Sequence, residues 1–100
     1  MQINRNIKNA QMDKLFEAIL EIKNADECYA FFEDLCTISE LQAMAQRIEV
    51  AALLRDGVTY NDIAERTKAS TATISRVNKC LQYGTGGYRL ILERVESEKP

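Results

Sequence analysis

The only proline in the chain is Pro100, and three of its four glycines, Gly84, Gly86 and Gly87, fall within one turn. Proline and glycine are the residues that most readily interrupt helices and shape hairpins. Their scarcity elsewhere allows long helices and leaves few places to define strands. Apolar spacing fills those stretches. Met12, Leu15, Phe16, Ile19, Leu20 and Ile22 follow helical intervals and predict a first helix from about Asn9 to Lys23. Asn24 to Asp26 breaks it, and Asp26 is placed to cap a short second helix with Cys28, Phe31, Phe32 and Leu35 on one face. Thr37-Ile38-Ser39-Glu40 has the form of a capping box and opens a third helix running to about Arg55. That helix carries Ile38, Leu41, Met44, Ala45, Ile48, Ala51 and Ala52 on one side, and Asp56-Gly57 ends it. No strand pattern, internal repeat or low-complexity segment is present. The predicted fold class is all-α, as one domain over residues 1–100.

The segment Thr59 to Leu81, TYNDIAERTKASTATISRVNKCL, is the most specific part of the chain. Thr59 is the predicted N-cap of a fourth helix that begins near Tyr60 and ends near Arg66. After a turn at Thr67 to Ala69, Ser70 caps a fifth helix whose inward positions are Ile74, Val77, Asn78 and Leu81. Two short helices joined by a tight turn make a helix-turn-helix, over about residues 59–81. Ala64 is the small residue such a crossing needs. Lys68 stands where glycine is usual, at a position of positive φ. On the wheel, Ala72, Ser75, Arg76 and Lys79 lie opposite the apolar anchors, with Ser70, Thr71 and Thr73 at the leading end. Small and hydroxyl residues there permit a close approach to base edges, and Arg76 suits guanine or a phosphate. Lys68 and Lys79 suit phosphates, which position a protein without reading sequence. Tyr60 and Asn61, opening the fourth helix, complete the predicted DNA-contacting set. A sixth helix follows the glycine turn, with Tyr88, Ile91, Leu92 and Val95 on one face to about Glu96.

Charge supports the same segment. Arg66 to Leu92 contains no Asp or Glu and carries +5, whereas the remainder of the chain carries −7. A basic block inside an acidic protein marks a site for a polyanion such as double-stranded DNA. Histidine is absent, which removes His-based catalysis and most zinc sites. The Gly84–Gly87 turn lacks the Lys-Ser/Thr ending of a phosphate loop and reads as a helix stop. An enzyme is therefore not expected, nor a metal. Cys28, Cys36 and Cys80 form no CxxC pair and are expected as reduced thiols in or near the core. No apolar run reaches the ~18 residues of a membrane span. The opening MQINRNIKNAQ lacks the apolar stretch of a signal peptide, so a cytoplasmic location without a membrane partner is expected.

The stretches TISELQAMAQR, AALLRDGVTYNDIA and ASTATISRVNKCL, the last followed by YGTGGY, resemble the Trp repressor family, in particular its branch labelled YerC/YecD. The resemblance implies a six-helix, intertwined homodimer in which the N-terminal helices and the last helix interlock. It implies that the fourth and fifth helices form the reading head of a transcriptional repressor. The large apolar content of the first three helices agrees with a dimer. The resemblance also points to a ligand pocket at Thr37, Arg47, Arg76, Val77 and Cys80. Arg47 and Arg76 match the two arginines that hold the indole of tryptophan in the Trp repressor, and Thr37 matches a residue at the mouth of that pocket. Val77, however, stands where that repressor has glycine, and overpacking typically costs ~1–3 kcal/mol. Cys80 replaces a serine by a weaker hydrogen-bonding group. No tryptophan corepressor and no other cofactor is therefore expected. Two alternatives stay open. One is a regulator gated by a small anion gripped by Arg47 and Arg76. The other is a helical protein–protein interaction module, favoured by the acidic first half.

Overall fold

The helices of this chain begin where a side-chain oxygen takes up amide protons that a first turn leaves unpaired. In the computed structural model, which describes residues 6–98, six helices follow one another with no strand among the described residues. They are α1 (Ala10–Leu20), α2 (Ala25–Leu35), α3 (Ile38–Arg55), α4 (Tyr60–Thr67), α5 (Thr71–Tyr83) and α6 (Gly87–Ser97). Part of the segment read for a signal peptide, and Pro100, lie outside the described residues.

Asn9 accepts from the Met12 amide at 2.9 Å and opens α1. That helix stops at Leu20, three residues before the predicted end, because the chain must become extended to reach the next cap. The cap of α2 is Asn24 and not Asp26. Asn24 has the extended backbone of a cap, with φ −158°, and accepts from the Glu27 amide at 2.9 Å. Asp26 falls inside the first turn, where its charge still favours the positive end of the helix dipole. Glu27 reaches back to the Lys23 amide at 2.9 Å. The predicted box at α3 forms in full: the Glu40 amide donates to Thr37 Oγ1 at 3.1 Å, and the Thr37 amide donates to Glu40 Oε1 at 2.8 Å. Hydrogen bonding to the carboxylate, first from the Thr37 backbone amide and then from its side chain, holds the Glu40 carboxyl below its ordinary pKa.

The chain divides into two units, one reaching to Leu41 and the other starting at Gln42. In the first, α1 and α2 bury no residue at all. Phe31 and Phe32 meet edge to face with ring centroids 5.6 Å apart, while Leu20, Tyr29 and Ile38 stay largely exposed. In the second unit the core is Val50, Ala51, Ile63, Ala69, Ile74, Val77 and Leu92, ringed by Leu53, Leu54, Val58, Ala64 and Tyr88. The end of α3 is a Schellman motif. Gly57 takes φ +82°, its amide donates to the Leu54 carbonyl at 3.0 Å, and the Val58 amide donates to the Leu53 carbonyl at 3.0 Å. Val58 packs against the core as the apolar residue that motif favours. Arg55 pairs with Glu96, tying α3 to α6. At the end of α5 a Cβ on Gly84 would come 2.4 Å from the Cys80 carbonyl oxygen, so only glycine fits there. The cysteines depart from expectation. Cys28 and Cys80 are exposed and Cys36 is half-buried: α2 buries none of its residues, and the buried positions of α5 are Ile74, Val77 and Leu81.

Candidate nucleic-acid interface

α4 and α5 cross over buried side chains that fix their spacing. Ile63 on α4 and Ile74 on α5 are fully buried, Val77 is 1 % exposed, and Ala64 packs against the same cluster. Thr59 caps α4 by accepting from the Asp62 amide at 3.3 Å. Ser70 caps α5 by accepting from the Thr73 amide at 3.1 Å, and its hydroxyl donates to Thr73 Oγ1 at 3.1 Å. Lys68, between them, adopts φ 63° and ψ 14° in the left-handed region, and its amide closes α4 on the Ala64 carbonyl at 2.9 Å. A side chain there costs on the order of 1 kcal/mol relative to glycine. Lys68→Gly is therefore expected to raise the thermal midpoint by roughly 4–8 °C, as read by calorimetry. No gain would mean that the lysine side chain contributes contacts that offset the strain.

The turn is held by residues absent from the predicted set. Thr67 Oγ1 donates to the Ile63 carbonyl at 2.7 Å and accepts from the Ala69 amide at 3.2 Å. The Gln46 side-chain amide on α3 donates to the Thr67 carbonyl at 3.2 Å. A bond across 21 residues leaves no local sequence signature; only the threonine at a helix end hinted at it.

The predicted contacting residues are exposed, with one exception. Tyr60, Asn61, Lys68, Ser70, Thr71, Ala72, Ser75, Arg76 and Lys79 are exposed, while Thr73 is half-buried against Ser70. None of Lys68, Arg76 or Lys79 takes part in an ion pair among the described residues. Ala72, Arg76 and Lys79 form one row of α5, and the row continues to Tyr83, which is 85 % exposed. Tyr83 lies beyond the core of the motif and outside the predicted set, although the same four-and-three spacing reaches it.

The five residues of the implied ligand pocket differ in their surroundings. Val77 is part of the core, Arg76 points outward, Arg47 is half-buried on α3, and Thr37 is engaged in its capping box. Of the five, only Cys80 lines the described groove of the second unit. That groove, of about 610 Å³, is walled by Ile48, Tyr88, Ile91, Leu92 and Val95.

Two capped helices crossing over a shared apolar anchor, with unpaired bases along the outer face of the second, define a helix-turn-helix protein. The chain belongs to the Trp repressor protein family, whose profile matches residues 10–96. It is 53% identical over 96 residues to the uncharacterized protein YerC of Bacillus subtilis, covering 96% of this chain and 91% of that one. A solved structure of a candidate Trp repressor from Staphylococcus aureus matches with a TM-score of 0.89 at 47% identity, covering 100% of this chain and 99% of the other. A TrpR-like protein from Eubacterium eligens matches with a TM-score of 0.90 at 52% identity, covering 97% and 100%. The family is one of DNA-binding regulators rather than of enzymes. No helix among the described residues is long and apolar enough to cross a membrane.

Proposed function

We propose that this protein is a cytoplasmic, homodimeric transcriptional repressor that reads a near-palindromic DNA site through α5. The observation that carries the reading is the exposed row of Ala72, Arg76 and Lys79, unpaired and backed by fully buried Ile74. Such a face offers donors to base edges and cations to phosphates without first breaking an internal salt bridge. The proposed contacts are Arg76 with Ser70, Thr71, Ala72, Thr73 and Ser75 toward bases, and Lys68, Lys79, Tyr60 and Asn61 toward phosphates. Repression is then steric: two copies of α5 occupy successive major grooves about 34 Å apart and exclude other proteins from the site.

The dimer is supported by apolar surface that a single copy leaves uncovered. Leu20 is 82 % exposed, Tyr29 78 % and Ile38 73 %, and α6 leaves Ile91 and Val95 about half exposed. Patches of that kind on a small chain favour association. We further propose that no tryptophan is needed. The reading is supported by Val77, a branched side chain buried in the core, since adding a ring against a packed core typically costs ~1–3 kcal/mol.

The test is selection of duplexes from a random pool by the purified protein at physiological salt with no added ligand. A two-fold-symmetric site is expected. Its affinity is expected to fall with log salt at a slope near −0.9 for each phosphate neutralised. Enrichment only with an added metabolite would replace this reading by a ligand-gated regulator, and no enrichment under either condition would favour a protein–protein module.

A further inference from the structure

We propose that Gln46 and Thr67 together are the positioning residues of the reading head, setting the angle at which α5 is presented. The inference rests on the DNA-reading function proposed above and adds a device to it. The geometry is a clamp in three bonds. Gln46 Nε2 holds the Thr67 carbonyl at 3.2 Å, while Thr67 Oγ1 donates to the Ile63 carbonyl at 2.7 Å and accepts the Ala69 amide at 3.2 Å. Thr67 therefore joins α3, the last turn of α4 and the first residue after Lys68. Among the described residues, the Gln46 bond is the only side-chain hydrogen bond between α3 and the helix-turn-helix.

Apolar packing alone does not supply what this clamp supplies. Burial of Ile63, Ile74 and Val77 holds α4 and α5 against α3, but the hydrophobic effect is non-directional and tolerates small rotations. A hydrogen bond is short and directional, so it discriminates between orientations that the core accepts about equally. The turn is also the pivot. At a rise of about 1.5 Å per residue, Arg76 lies about 9 Å along α5 from Ser70, so a tilt of about 10° moves it by about 1.5 Å. That displacement exceeds what a bidentate contact to a base edge tolerates. Lys68 sits strained at the same pivot, with φ 63°, and its left-handed conformation is bracketed by the Thr67 bonds on either side. The head is thus oriented by a bond from within the chain, in keeping with a regulator that works without a corepressor.

The variant that tests this is Gln46→Met, which keeps length and apolar contact but removes the donor. Thr67→Val, which removes both hydroxyl bonds at nearly constant shape, is the second. Amide NMR of the full protein reads the orientation directly, through residual dipolar couplings of α5 relative to α3. In Gln46→Met the α5 couplings are expected to shift or average toward smaller values, and the Ala69 amide to exchange about threefold to tenfold faster. The Ile63, Ile74 and Val77 amides should keep their protection, which a merely structural loss would not allow. Affinity for the selected duplex is expected to fall about threefold to tenfold, with the salt slope unchanged. Thr67→Val should produce the same pattern more strongly. Couplings identical to wild type in both variants would overturn the clamp. Altered couplings with wild-type affinity would overturn its role in DNA reading. If the wild-type protein binds no duplex, the function itself fails, while the couplings still decide whether Gln46 and Thr67 orient the helix.

Discussion

Replacing Ile74 by alanine is expected to cost about 2–5 kcal/mol, which for a chain of this size lowers the thermal midpoint by at least about 10 °C. The side chain has no solvent exposure and shares its cluster with Ile63, Val77 and Val50, three more of the largest fully buried side chains. Removing three carbons there forfeits their transfer free energy and leaves a cavity that the rigid helix crossing closes only in part. α4 has 8 residues and α5 has 13, lengths at which helices are marginal in water without tertiary packing. The loss should therefore appear first as faster amide exchange throughout both helices, before the rest of the chain responds. Ser75→Ala on the exposed side of the same helix is the control and should stay within about 0.5 kcal/mol of wild type. Both are best measured at one fixed protein concentration, because association adds to apparent stability. A loss below about 1 kcal/mol for Ile74→Ala would show that the anchor of the reading head lies elsewhere.

How much of this was legible in the sequence follows from how local each feature is. The caps at Thr37, Thr59 and Ser70, the stop at Gly57 and the positive φ at Lys68 each depend on a few neighbouring residues, and each is found where residue type and spacing place it. Ile74, Val77 and Leu81 are buried because helical periodicity assigns them to one face. Asn24 and Asp26 both cap well and lie two positions apart, so residue type does not decide between them; the extended backbone falls at Asn24. Residue type alone puts the cysteines in or near the core. Surroundings outweigh type: Cys28 is exposed on a helix that buries none of its residues, and Cys80 is exposed at the edge of a groove. The Gln46–Thr67 bond had no pattern to betray it, since glutamine is ordinary on a helix and its partner is a backbone carbonyl. The exposed row of α5 is legible as residue types at helical spacing, whereas its continuation to Tyr83 requires knowing how far α5 extends.

Arg76→Ala is expected to weaken binding to the selected duplex by about 1–3 kcal/mol, a loss of roughly 5- to 150-fold, while leaving the fold intact. The side chain is exposed, forms no ion pair among the described residues and sits midway along the outer row of α5, so its removal opens no cavity. The form of the loss identifies the contact. A guanidinium that takes two acceptors on a guanine loses affinity for the correct base but little for a substituted one, so discrimination at one position of each half-site collapses. A guanidinium on a phosphate loses affinity equally on every sequence, and the salt slope falls by about one unit for each contact removed. Lys79→Ala, one turn further along the same row, is the internal reference for the second behaviour. Titrations of both variants against the selected site and against single-base substitutions of it, at three salt concentrations, separate the two cases. Relaxed specificity for Arg76→Ala beside a uniform loss for Lys79→Ala would assign base reading to the arginine and positioning to the lysine. Wild-type affinity in Arg76→Ala would remove this residue from the interface and move the search for the base-reading group to Thr71, Ala72 and Ser75 at the leading end of the helix.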